Sequence, residues 1–418
     1  MYLHRSRTRP TWLCYCQNLE SRASHANPNR HPAFKLLDPQ IQHPSTDPHP
    51  PQLLQINCWT VDFHTMDTPY AQELQLACLT VQRASLLTKK VLDAVDKGAL
   101  DKSDSSPVTI ADFAAQALII AAIHHVFPDD DIVGEEDSKA LRKDPGLLDR
   151  TWDLVASMRS PSSALHTPTT KEEMLDLIDL GAKGSCSPHN RAWVLDPVDG
   201  TATFIRGQQY AVCLALVEQG RQRLGVLGCP NLSLDILAST TGHIHEDAVD
   251  RNGYGTQVFA VAGHGAYTRI MTASPAELGP AQRIPTKQPF TDPRDIVFVD
   301  CTATTSSDIE LHERLAARLG APWPPATDVW SAQLRYVAIA VGGCNVLLKI
   351  PRKRDYRSNI WDHAGGMLIA QEAGCRVSDL AGNEVDCGAG RRLGGCYGMV
   401  VAPEGIHARL VEGAKEFV

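Results

Sequence analysis

Leu74, Cys78, Val81, Ser85, Leu92 and Val95 recur at helical spacing from Tyr70 onward, and Lys97-Gly98 supplies a stop. After Ser105-Ser106-Pro107, the apolar residues Phe113, Leu118, Ile119, Ile123 and Val126 predict a second helix over roughly 110–126. Pro128-Asp129-Asp130-Asp131 ends it, and Ile132-Val133-Gly134 reads as a short strand running into Glu135-Glu136-Asp137. Residues 138–190 are mixed, with Ser and Pro at 160–163 and Gly, Ser and Pro at 181–188, and predict a long excursion holding one helix near 171–180. Strand signals return at 193–195, then at 212–217 and 224–227, where Gln219-Gly220 marks a hairpin. Further on, 296–299 and 346–350 predict strands, and 308–318, 330–341 and 363–373 predict helices. Strands alternating with helices, without an internal repeat, predict an α+β or α/β fold.

Residues 1–66 break this pattern. They hold eight of the 27 prolines and six of the 16 histidines, and His43-Pro44 through Pro50-Pro51 suits neither a helix nor an inner strand. The expectation is a disordered N-terminal extension, with Met66 a candidate start of translation. The remainder divides into a unit over 67–290, with an antiparallel sheet, and a smaller α/β unit over 291–418.

Composition narrows the function. The 418 residues are 43% hydrophobic, enough for a large core. A formal net charge of −8, from 40 basic and 48 acidic residues, argues against a partner such as nucleic acid, which requires a basic face. A small anionic ligand is compatible, because a metal site reverses the local sign. No unbroken apolar run of about 18 residues is present, so no membrane span is expected. The 12 cysteines show no Cys-x-x-Cys spacing and no apolar leader precedes them, which predicts reduced core thiols in a cytoplasmic protein.

Candidate chemistry lies at element boundaries. Asp196-Pro197-Val198-Asp199-Gly200-Thr201 follows an apolar strand. Proline turns the chain, two carboxylates three residues apart converge, and the amides of Gly200 and Thr201 are free to face an anion. Hard oxygen donors on a turn suit Mg²⁺ rather than zinc. The plainer alternative is a turn whose aspartates bond their own backbone. Three more acidic residues sit at similar places. Glu135 ends a strand, Asp362 opens an apolar helix where an N-cap would stand, and Asp112 follows Thr109 at the spacing of a capping box.

Taken in order, Gly134-Glu135-Glu136, Asp196 to Thr201, and Trp361-Asp362-His363-Ala364-Gly365 with Glu372-Ala373-Gly374 resemble the blocks of the inositol monophosphatase superfamily of Mg²⁺-dependent, lithium-sensitive phosphatases. Ser106-Pro107-Val108-Thr109, Phe127-Pro128-Asp129-Asp130, Thr203-Phe204-Ile205-Arg206-Gly207 and Gly228-Cys229-Pro230-Asn231 are most similar to its fungal and plant 3′(2′),5′-bisphosphate nucleotidases. The resemblance spans about 70–418, apart from the excursion.

That resemblance implies a layered αβαβα sandwich with the site between the two units and Asp362 reaching in from the second. It implies two to three Mg²⁺ held by Glu135, Asp196, Asp199, Asp362 and the carbonyl of Val198, with Li⁺ inhibitory. Asp112 and Thr201 would serve the attacking water. The implied substrate is a small nucleotide, adenosine 3′,5′-bisphosphate or 3′-phosphoadenylyl sulfate, and no obligate protein partner is evident. Substrate contacts would come from Gly200, Thr201 and Asp362 and from three departures from the family pattern. Thr305 stands where histidine is usual. Arg335 replaces lysine, with Ser331 or the adjacent Ala332 at the serine place. Lys349 replaces arginine. Charge is kept, but Arg and Lys are not equivalent at a bidentate site. An inositol phosphate phosphatase and a silent nucleotide- or ion-binding relative are the alternatives. Retention of all six catalytic and metal-ligand side chains weighs against the latter.

Overall fold

The computed structural model describes residues 60–61, 68–96, 106–239, 242–341 and 343–417. Among these, the larger sheet has eight strands: β1 (Thr60–Val61), β2 (Asp131–Gly134), β3 (Arg191–Asp199), β4 (Ala211–Glu218), β5 (Arg221–Cys229), β6 (Thr256–Val261), β7 (Gly265–Ile270) and β8 (Ala281–Arg283). Their order is β1-β8-β7-β6-β5-β4-β3-β2, antiparallel throughout except for the parallel β2–β3 pair. The smaller sheet has five: β9 (Phe298–Asp300), β10 (Thr327–Asp328), β11 (Val346–Lys349), β12 (Cys375–Ser378) and β13 (Met399–Pro403), ordered β10-β9-β11-β13-β12.

The helices are α1 (Ala71–Asp96), α2 (Ser106–Val126), α3 (Lys139–Lys143), α4 (Pro145–Ala156), α5 (Lys171–Lys183), α6 (Thr201–Phe204), α7 (Leu234–Ser239), α8 (Ile309–Leu319), α9 (Ala332–Ala340), α10 (Ala364–Glu372) and α11 (Glu404–Ala414). Helices α1 and α2 cover one face of the larger sheet, α9 and α10 lie between the two sheets, and α8 and α11 close the far side. The expected αβαβα layering is what is found. Three apolar clusters fill the spaces between the layers. One joins α1 and α2 to the larger sheet, a second surrounds α9 and α10, and a third lies under α8 and α11.

Several sequence expectations need correction. Most of 1–66 lies outside the described residues, but Thr60–Val61 pairs with Ala281 and Gln282 of β8, so two residues of the segment expected to be disordered form a strand. The excursion holds three helices, not one. Asp144 accepts the Leu147 amide at 3.0 Å and Pro145 occupies the first turn, a start signal that apolar spacing alone does not carry. Helix α2 begins at Ser106, four residues earlier than expected, because a proline is tolerated in a first turn. By length and composition it is also apolar enough over Thr109–Val126 to cross a membrane, yet 78% of that window is buried. It packs against α1, α4, α5 and β3 as a core helix.

Candidate active site

Strand β3 lies between the parallel β2 and the antiparallel β4, which brings the end of β2 beside the Asp196 turn. Gly134 pairs with Leu195, so Glu135 emerges next to Asp196. Pro197 has no amide, and the register with β4 shifts between Asp196 and Asp199. Val198 donates its amide to Asp196 Oδ1 at 3.0 Å, so the self-bonded turn is real for this residue. Gly200 then takes φ +101°, where a Cβ would stand 2.9 Å from Thr203 Oγ1. This kink starts α6, with Thr201 exposed and its hydroxyl 3.3 Å from the Val198 carbonyl it bonds.

Asp199 is not bonded to its own turn. It accepts the Ser331 hydroxyl at 2.5 Å, the Ala332 amide at 3.2 Å and the Gln333 amide at 2.6 Å, so it caps the N-terminus of α9 from across the layer boundary. Ser331 also accepts the Leu334 amide at 3.1 Å. Its hydroxyl is therefore engaged within the protein on two sides.

The other carboxylates escape their structural alternatives. With α2 starting at Ser106, Asp112 sits inside the helix and is no capping residue. It is 5% exposed. The N-cap of α10 is His363, which leaves the half-buried Asp362 free of that role. Gln116 fixes the turn after β2 by donating to the Glu136 carbonyl at 2.7 Å and accepting the Glu136 amide at 3.0 Å. Glu135 faces solvent on one side.

These groups form one electrostatic cluster. Burial, followed by the charges of Glu135, Asp199, Asp362 and Asp112, holds Asp196 well above the carboxylate range. Burial and the charges of Glu136 and Glu135 do the same for Asp112. The protein behind Glu135, with Glu136 and Asp362, pushes it up as well. Two buried cations adjoin the cluster. Lys349 is 6% exposed and Arg335 is 8% exposed. Desolvation and the neighbouring Arg335 press the Lys349 ammonium down to about 8, against the pull of Asp362 and Asp199. Lys349 Nζ lies 5.2 Å from the centre of the Tyr356 ring. Thr305 is exposed in the loop after β9, and among the described residues it makes no side-chain hydrogen bond to Arg335 or Lys349.

Among the described residues, no three acidic, histidine or cysteine side chains stand as a ready-made ion cage. The donor chemistry nevertheless fits hard divalent cations. It is all oxygen, it sits at the end of one strand and in two facing turns, and it carries like charges whose repulsion raises their proton affinity. Bound cations would replace those protons. Sequence reasoning did not find Gln333, whose amide side chain donates to the Trp361 carbonyl at 2.7 Å and accepts the Gly366 amide at 2.8 Å. Nor did it find Arg391, described below. Both act through tertiary contacts with no local signature.

Residues 68–416 match the model of the Inositol monophosphatase family. Over 352 residues the chain is 38% identical to a 3′(2′),5′-bisphosphate nucleotidase of Emericella nidulans, covering 83% of this chain and 98% of that protein. It is 37% identical over 348 residues to a 3′(2′),5′-bisphosphate nucleotidase of Schizosaccharomyces pombe, covering 81% of this chain and 94% of the other. It is 34% identical over 356 residues to a 3′(2′),5′-bisphosphate nucleotidase of Oryza sativa, covering 84% and 95%. Among solved structures, inositol monophosphatase II of Staphylococcus aureus superposes with a TM-score of 0.51 at 17% identity, covering 82% of this chain and 94% of that one, a likeness of fold. Metal-dependent catalysis follows from the family match. On its ordered motifs, its five layers and this match, the chain belongs to the inositol monophosphatase family.

Proposed function

We propose that this chain is a Mg²⁺-dependent phosphomonoesterase that removes the 3′-phosphate of adenosine 3′,5′-bisphosphate, giving AMP and inorganic phosphate. The 3′-phosphate of 3′-phosphoadenylyl sulfate is cleaved in the same way. One observation carries the reading: a cluster of crowded carboxylates with two buried cations beside it, in a chain at least 34% identical to nucleotidases of that name.

Glu135, Asp196, Asp199, Asp362 and the Val198 carbonyl are the groups that would hold two to three Mg²⁺. Such ions would supply neutralisation of the phosphoryl oxygens, a more acidic water and stabilisation of the leaving oxygen. The protein's own groups supply the rest. Thr201, at the exposed start of α6, orients the water through its hydroxyl oxygen while it donates its own proton to the Val198 carbonyl. Asp112, buried and with raised proton affinity, takes the water's proton. The amides of Gly200 and Thr201 face the transferred phosphate. Arg335 and Lys349, both buried, take the second phosphate, with Ser331 and the exposed Thr305 as further contacts. The nine described cysteines are buried and unpaired, in keeping with a cytoplasmic setting.

The test is phosphate release from adenosine 3′,5′-bisphosphate, inositol 1,4-bisphosphate and inositol 1-phosphate, each with Mg²⁺, with EDTA, and with Mg²⁺ plus Li⁺. Fast, Mg²⁺-dependent, Li⁺-inhibited turnover of the nucleotide is expected. Preference for an inositol phosphate would overturn the substrate and keep the metal site. Turnover that persists in EDTA would overturn the mechanism.

A further inference from the structure

Glu135 and Asp362 reach the cluster from different layers. Glu135 follows β2 in the larger sheet, and Asp362 precedes α10 between the sheets. No strand pairing joins the two segments. A single guanidinium does, and it touches the residue immediately before each carboxylate. Arg391 donates through Nη2 to the carbonyl of Gly134. Its guanidinium lies 4.9 Å from the centre of the Trp361 ring. Its backbone carbonyl accepts the Ile360 amide at 3.1 Å, so the chain around Arg391 runs alongside the approach to Asp362.

The same guanidinium has a third attachment. Nη1 donates to the carbonyls of Gly181 at 2.9 Å and Gly184 at 3.1 Å, at the C-terminal end of α5. A cation there satisfies carbonyls that the helix leaves unpaired. This grip fixes Arg391 against a rigid element, so that the two remaining contacts become a fixed spacer. Ring stacking and the fork of Nη donors require a planar guanidinium, and an ammonium cannot make both.

We propose that Arg391 is a positioning residue of the metal-dependent reaction, setting the distance between the Glu135 and Asp362 carboxylates so that both can serve the same pair of ions. This rests on the function proposed above. A purely architectural role predicts something different: loss of Arg391 would cost stability and leave metal affinity alone. Arg83 shows what such a role looks like. It is fully buried and donates to the carbonyls of Leu165 at 2.6 Å and His166 at 3.1 Å and to the Thr167 hydroxyl at 3.3 Å, with no contact to the cluster.

The experiment compares the full chain with Arg391→Met, Arg391→Lys and Arg83→Met. Mg²⁺ affinity is measured by calorimetry without substrate, the Mg²⁺ midpoint of activation by phosphate release, and thermal stability in EDTA. Supporting residues of metal ligands typically change metal affinity about 10- to 100-fold. Both Arg391 variants should weaken Mg²⁺ binding about tenfold or more, with the activation midpoint moving in step. Arg83→Met should lose stability at unchanged Mg²⁺ affinity. If Arg391→Met does not fold, Arg391→Lys decides. Wild-type Mg²⁺ affinity in the Arg391 variants, with a Mg²⁺-dependent parent, overturns the inference alone. A parent that needs no Mg²⁺ overturns the function on which it rests.

Discussion

Asp199 accepts the backbone amide of Gln333 at 2.6 Å, and the side chain of the same glutamine reaches the opposite way, to the Trp361 carbonyl and the Gly366 amide. One residue at the start of α9 therefore holds a carboxylate of the larger sheet and the turn that presents Asp362. Gln333→Ala keeps the amide bond to Asp199 but leaves a buried carbonyl and a buried amide without partners. Unmet buried groups cost about 1–3 kcal/mol each. A stability loss of about 2–6 kcal/mol is expected by denaturant titration, together with reduced kcat/KM as the Asp362 turn loosens. Unchanged kcat/KM at reduced stability would separate Gln333 from the site.

Asp199→Asn is the sharper substitution. Asp199 accepts three donors, two at Oδ2 and one at Oδ1. An asparagine oxygen can serve the pair, and its amide then confronts the Ala332 amide, costing about 1–3 kcal/mol. The fold should survive this. The rate should fall far more, by about 10²–10³-fold or beyond, because the anionic ligand that would hold the cations is lost. Circular dichroism against kcat makes the comparison, and retained activity in a folded variant would remove Asp199 from the metal ligands.

The residues that met in this site were unequally visible in the chain. Asp196, Asp199, Glu135 and Asp362 lie in local patterns, a strand end, a turn, a helix start, that announce themselves without a fold. So do α1, α8 and α10, whose apolar spacing and stops were read nearly to the residue. Asp112 was ambiguous only because the start of α2 was placed at 110; a Ser-Pro first turn moves it into the helix interior. Strands β6 to β8 were missed. Pairs such as Gln257 opposite Arg269 put polar side chains where a period-two signal expects apolar ones, and those residues are buried by the neighbouring helix layer. Gln333 and Arg391 were invisible for a different reason. Their roles are distances between segments far apart in the chain, and no local spacing encodes a distance of that kind.

The carboxylate cluster makes the metal-free protein sensitive to pH in an unusual direction. Desolvation on its protein side and the charges of Glu136 and Asp362 bring the solvent-facing Glu135 to about 8, and burial and Asp199 bring Asp362 to about 7. Asp112 and Asp196 also lie above their ordinary values. Carboxyls of an unfolded chain titrate near about 4. Across the interval from about 4 to 8 the folded state thus holds protons that the unfolded state has released, and stability falls as pH rises. Histidines pull the other way. Burial lowers His407 to about 4, so it favours the fold as pH rises toward about 6.5 and adds little above that. Melting in EDTA at about pH 7 and about pH 8 reads mainly the carboxylates, because Lys349, held down to about 8, opposes the trend only as pH passes that value. The melting temperature should drop between the two, and Mg²⁺ should abolish or invert the drop, since ions then stand in for the protons. A metal-free protein more stable at the higher pH would dissolve the cluster as an electrostatic unit.

Lys349 and Arg335 give the last test, on substrate choice. Each is more than nine-tenths buried, and each acts on Asp362 as a counter-charge. Among the described residues, the Lys349 ammonium has the Tyr356 ring beside it and no hydrogen-bond acceptor. An ammonium whose side chain is largely covered and that has no protein acceptor is poorly solvated, and a second phosphate would supply a charge-assisted partner. Lys349→Met should therefore raise KM for adenosine 3′,5′-bisphosphate much more than for adenosine 3′-monophosphate, which has no second phosphate to place. Charge-assisted bonds are worth about 1.5–3 kcal/mol, or roughly 10- to 150-fold in kcat/KM for the bisphosphate. Lys349→Arg should recover part of this loss, since charge is kept and geometry changes. An equal loss on both substrates would mean that Lys349 serves the carboxylate cluster instead, by offsetting the charge of Asp362.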